Sequence, residues 1–202
     1  MKKVPQDPIH HAEGNVAIGF EAGYSLTTGA RNVLIGSTTN NSNANNAPGW
    51  ALQSGSDNIY IGTNNGPVST TSINNVLIGS QIGTSITSSS NNVLIGKNTG
   101  NLISSTSDNI IIGADSGNSI NAGGALIIGQ NSGVGYSGTP AFVIGHNAGK
   151  NITGINNMFI GQYTGGITQT GKTGNYNLAI GPYSGFNLKA GSRNIIVGSG
   201  DA

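Results

Sequence analysis

The chain has 202 residues, a formal net charge of +1, only 7% charged residues and no cysteine. Without a Lys/Arg cluster there is no electrostatic footprint for nucleic acid, and without thiols there is neither a disulfide framework nor a thiolate zinc site. Glycine supplies 34 residues, and Ser, Thr and Asn fill much of the remainder. That composition suits a disordered chain, but disordered chains lack an apolar triplet that returns on schedule, and this one has it.

Residues 1–13 lie outside the repeat and read as an N-terminal arm. Met1-Lys2-Lys3 carries the charge of a signal-peptide start, yet Pro5, Asp7, Pro8, His10 and His11 follow where an apolar run would stand. Export through this N-terminus is therefore not expected, and the arm is a candidate contact for other proteins. No stretch approaches the roughly 20 apolar residues of a membrane helix.

From residue 14 to 202 one unit recurs. Its anchor is the glycine of an apolar-Ile-Gly step, found at Gly19, Gly36, Gly62, Gly79, Gly96, Gly113, Gly129, Gly145, Gly161, Gly181 and Gly198. The step between anchors is nearly constant, with one long exception from Gly36 to Gly62 and a smaller one from Gly161 to Gly181. A fixed period of roughly 20 residues marks a solenoid array. Each unit predicts a short β-branched strand ending at the anchor, a turn at a glycine four residues on, and a second, shorter strand around residues such as Leu26, Ile86 and Ile103. No segment holds a helical period. Four residues before the anchor stands Asn in nine of eleven copies, Ala125 and Ala141 being the exceptions. Stacked coils place those amides in a ladder. The expected fold is all-β, a parallel β-solenoid or β-roll of about eleven repeats, with insertion loops at 37–57 and 162–176.

Side chains alternate along a strand, so the positions one and three before the anchor share a face. Those positions are apolar throughout and are expected to fill the coil. The position between them must then face outward, and it is apolar as well. Leu34, Tyr60, Leu77, Leu94, Ile111, Ile127, Val143, Phe159 and Ile196 are accordingly expected to form an interface between copies of the chain, giving an intertwined or side-by-side homotrimer.

Several motifs invite chemistry. Gly166-Ile167-Thr168-Gln169-Thr170-Gly171-Lys172-Thr173 matches the phosphate-loop pattern, but the next repeat strand follows it where a helix N-terminus is required. Gly133-Val134-Gly135-Tyr136-Ser137-Gly138 has glycines on the scheduled turns. The carboxylates (Asp57, Asp108 and Asp115 among them) form no pair suited to glycoside hydrolysis. His10-His11 lacks the further ligands a metal needs, and His146 occupies a slot that accepts any residue. No enzyme, cofactor or metal is expected. Trp50, the one Trp of the chain, falls in the long step, and solenoid insertions often carry binding. Trp50, Tyr163 and Tyr176 are the expected receptor-binding residues.

Gly14-Asn15-Val16-Ala17-Ile18-Gly19-Phe20-Glu21-Ala22-Gly23 resembles the N-x-A-I-G-x-x-A-G repeats of phage and large-virus fibre proteins, and the shorter repeat in the heads of trimeric autotransporter adhesins. The resemblance covers about residues 14–200. It implies a β-roll rod, homotrimeric, on a virion surface or outside a cell, that attaches to a host surface glycan or protein. In that setting residues 1–13 are expected to meet other virion proteins. A polysaccharide-degrading tail spike and an ice-binding solenoid are the alternatives. The latter calls for a regular Thr face, whereas Thr38, Thr39, Thr70, Thr71, Thr168 and Thr170 are irregular along the chain.

Overall fold

The computed structural model describes residues 12–37, 46–120, 123–138, 141–166 and 173–200. Eleven strands form one parallel sheet in strict sequence order. They are β1 (Val16–Ile18), β2 (Val33–Ile35), β3 (Ile59–Thr63), β4 (Val76–Ser80), β5 (Val93–Lys97), β6 (Ile110–Ile112), β7 (Leu126–Ile128), β8 (Ala141–Ile144), β9 (Asn157–Ile160), β10 (Leu178–Ile180) and β11 (Ile195–Val197). Register follows the repeat, with Leu77 over Leu94 and Gly79 over Gly96. The chain is a β-solenoid, and the described residues contain no α-helix.

The anchor glycines hold the stack at its tightest point. At Gly79 φ is +137°, and a Cβ would land on the Gly96 carbonyl oxygen. The same approach recurs along the column, so close coil-on-coil packing excludes any side chain there.

Inside and outside are the reverse of the sequence expectation. Leu34, Tyr60, Leu77, Leu94, Ile111, Ile127, Val143 and Phe159 are buried within the coil, and Ile196 packs partly buried against the same core. None of them can form an interface between chains. The positions one and three before the anchor face outward instead, Ile18 at 54% exposure and Ile110 at 43%. The physical reason is parity. The Asn four before the anchor and the apolar residue two before it point the same way, and the Asn row is buried because its amides are satisfied only between coils.

That ladder is continuous over the first six coils. Asn92 Nδ2 donates to Asn75 Oδ1 at 3.0 Å, and Asn109 Nδ2 donates to Asn92 Oδ1 at 2.9 Å. Each amide also reaches a turn carbonyl or hydroxyl, as Asn58 Nδ2 does to Ser72 O at 2.7 Å. Where Ala141 breaks the row, buried Tyr136 sends its hydroxyl to the Gly154 carbonyl at 3.5 Å. By the pattern of the other coils, that carbonyl belongs to the missing amide. The ladder resumes with Asn177 Nδ2 donating to Asn157 Oδ1 at 3.0 Å.

Among the described residues the predicted second strand does not form. Leu26, Ile86 and Ile103 are buried, as the pattern required, but their N–H groups bond back three residues to the carbonyls of Gly23, Gly83 and Gly100. Opposite the sheet, each coil therefore closes through stacked turns. With one strand per coil, the interior is narrow: Tyr60 fits because Ser69 stands across from it, the two hydroxyls 3.3 Å apart.

Burial pushes the phenols of Tyr60 and Tyr136 up to about 12 from 10.0. A folded-state pKa raised above the unfolded one contributes stability that is whole below pH 10 and lost as pH rises through about 12. The melting temperature is expected to fall steeply across that alkaline window. In the Tyr60→Phe, Tyr136→Phe double variant, melting followed by circular dichroism should show a shallower fall.

Candidate functional site

The long step from Gly36 to Gly62 contains less insertion than expected. Asn64 N–H bonds to Asn46 O at 2.8 Å and Gly49 N–H to Asn65 O at 3.0 Å, the pairings that regular coils make one and four residues after their anchors. Gly49, at φ +61°, sits so that a Cβ would lie 3.0 Å from Leu34, in the manner of the scheduled turn glycine. The coil resumes at Asn46, so the expected 37–57 loop contracts to the stretch before that residue. Trp50 belongs to the rod wall. It stacks on Tyr24 of the preceding coil with ring centroids 5.7 Å apart and planes 2° from parallel. Trp50→Ala is expected to cost roughly 1–3 kcal/mol, from a lost ring pair and half-buried area, read as a lowered melting temperature.

Tyr163 lies in a second aromatic group, seven coils from Trp50. Its ring stacks on Tyr183 at 4.9 Å and 29°, His146 tilts against Tyr163 at 5.6 Å, and Phe186 tilts against Tyr183 at 5.8 Å. Tyr163 and Tyr183 both stand two residues after an anchor, where the backbone is left-handed (φ +57° in each). The same slot elsewhere holds Asn64, Asn98, Asp115, Asn131 and Asn147, and also Glu21 and Gln81. Left-handed backbone costs a residue with a Cβ about 1–2 kcal/mol, least for Asn and Asp. A ring pair returns about 0.5–1.5 kcal/mol. Tyr183 and Phe186 were not singled out from sequence, and His146 was read there as filling a slot that accepts any residue; the shared offset of Tyr163 and Tyr183 from Gly161 and Gly181 was the signal available.

Tyr176 is exposed and also left-handed (φ +58°), but it precedes β10 whereas Tyr183 follows it. The structure therefore leaves Trp50, Tyr163 and Tyr176 in three places.

Three of the described carboxylates are each held by a neighbour in an adjacent coil. Asp57 pairs with Arg31 at 2.6 Å, and the guanidinium holds its carboxyl below the usual range. Asp108 accepts from Asn91 at 3.0 Å and Asp115 from Asn98 at 2.9 Å. Among the described residues no three His, Cys, Asp or Glu side chains cluster as metal ligands, and no helix is long and apolar enough to cross a membrane. Lys172 and most of the phosphate-loop match, like His10-His11, lie outside the described residues. After Thr173 the chain runs into β10 with no intervening helix.

The largest feature is the outer face of the sheet. Ile and Val one and three before each anchor form most of two adjacent apolar rows from β1 to β11, most exposed at the ends and half-buried by one another between. At about 4.8 Å per strand the strip is ~50 Å long, and at ~10 Å wide it covers on the order of 500 Å². No protein-family model, curated protein or solved structure matches the chain.

Proposed function

We propose that the chain is a structural and recognition rod, a fibre or adhesin segment of a phage or other virus particle that trimerises through the outer face of its sheet. The carrying observation is the two-row apolar strip. A strip of this size stands at the upper limit of what soluble monomers expose. Copies of the same rod match it in length and in chemistry. Three chains in register around one axis bury every strip and leave no open surface for further growth. The turns then face outward and present side chains to a host surface glycan or protein, and residues 1–13 are the proposed contact for other virion proteins. The resemblance of Asn15-Val16-Ala17-Ile18-Gly19 to viral fibre repeats supports both the assembly and the setting.

Light scattering at micromolar concentration tests this reading. The expected mass is three times the 20.3 kDa of one chain, and a stable 20.3 kDa monomer would overturn the trimer.

One observation favours the ice-binding alternative. Thr27, Thr70 and Thr87 share a coil position, with Ser104 continuing the column, so a short regular hydroxyl row does exist, although Thr70 alone of the irregular threonines belongs to it. Their hydroxyls donate to the next coil at Gln53 O (3.0 Å), Thr87 O (3.4 Å) and Ser104 O (3.2 Å). Those bonds suit staples between coils, and Gln53 interrupts the row. A thermal-hysteresis measurement separates the two readings: a freezing gap would favour ice binding.

A further inference from the structure

We propose that the Tyr163–Tyr183 stack, with His146 and Phe186 at its ends, is a binding track for an uncharged glycan strand running along the rod. The proposal rests on the recognition reading and assigns it a place and a ligand class.

Three observations carry it. The first is the choice of residue. The slot two after the anchor holds Asn or Asp in five coils and Glu21 and Gln81 in two others, and Asn and Asp tolerate its left-handed backbone best. Successive coils near one end use Tyr instead, and strained backbone retained against an easier choice marks a functional position.

The second is shape. Ring centroids 4.9 Å apart follow the spacing of the coils, a rise close to one pyranose ring in an extended glycan. The outer rings are turned, His146 by 60° against Tyr163 and Phe186 by 53° against Tyr183, so the group extends past the central pair at both ends.

The third is charge. Around the rings, the slots one and two after the anchor hold Gln130, Asn131, Asn147, Gln162 and Pro182, with Gln130 and Gln162 exposed. None is Lys, Arg, Asp or Glu. The cationic Lys150 stands in the column of Phe186 but two coils away. Amides paired with rings suit neighbouring hydroxyls on a neutral sugar, and nothing in these slots would hold a carboxylate or sulfate.

The test compares the intact chain with the Tyr163→Asn, Tyr183→Asn double variant on immobilised neutral oligosaccharides (cello-, xylo-, manno- and galacto-series) and on polygalacturonate and hyaluronate. The intact chain is expected to bind at least one neutral series and neither acidic polymer. The double variant should lose about tenfold or more of that affinity, as expected for two ring contacts, while melting at or above the parent temperature because Asn relieves the backbone. A lower melting temperature would assign the rings to coil stacking and overturn the proposal. So would retention of the intact chain on the acidic polymers alone, or on no glycan. A trimer that binds no glycan sinks the track and spares the fibre; a glycan-binding monomer does the reverse.

Discussion

Leu94→Asp is expected to abolish folding of the rod, while the adjacent Ile95→Asp leaves each chain folded and separates the chains. Leu94 is fully buried between Leu77 and Ile111 of the neighbouring strands. Losing its burial forfeits roughly 2–3 kcal/mol, and a carboxylate there has no counter-charge, which adds several more. Single domains hold only about 5–15 kcal/mol in total. Ile95 lies on the outer strip with Ile78 and Ile112. A carboxylate there stays hydrated in the monomer and is desolvated only in the proposed trimer. Circular dichroism should show a β spectrum for Ile95→Asp and its loss for Leu94→Asp, with light scattering giving about 20.3 kDa for the former. Equal unfolding by both variants would mean that the outer strip belongs to the fold of the single chain.

Gly79→Ala should be nearly as damaging, for a different reason. The added Cβ falls on the Gly96 carbonyl, and φ +137° lies outside what an L residue adopts comfortably. Both backbones would have to part. In a solenoid each coil is stabilised through its neighbours, so a break between β4 and β5 uncouples the coils on either side. A loss on the order of 3 kcal/mol or more is expected, with new proteolytic cleavage near that junction. Gly124→Ala is the control. At φ +75°, with nothing within 4 Å of the new methyl, it should cost only the left-handed penalty of about 1–2 kcal/mol. Comparable melting temperatures for the two variants would show that the close approach at Gly79 contributes little.

Much of this architecture was legible in the residues. The Gly-anchored period implied a solenoid, and the apolar triplets implied an in-register strand in each coil, whereas the second, shorter strand read from Leu26, Ile86 and Ile103 closes as turns instead. The Asn row implied a ladder that runs unbroken until Ala125. The parity of that ladder also held the answer to which face is inside, since a buried Asn92 carries Leu94 inward with it. Hydrophobicity alone could not decide this, because Val93, Leu94 and Ile95 are alike in it.

What depended on the tertiary structure is of another kind. A repeat read along the chain gives distances in sequence, whereas contacts are made across coils. Trp50 reads as part of a loop because the step from Gly36 to Gly62 is the longest between anchors. Its stacking on Tyr24 emerged only once the hydrogen bonds of Asn46 and Gly49 showed where the coil resumes. Tyr136 filling the gap left by Ala141 belongs to the same class. The one-dimensional pattern determined that coils would form and stack; which side chains share a column was decided by insertions, and an insertion shifts sequence number without shifting the stack.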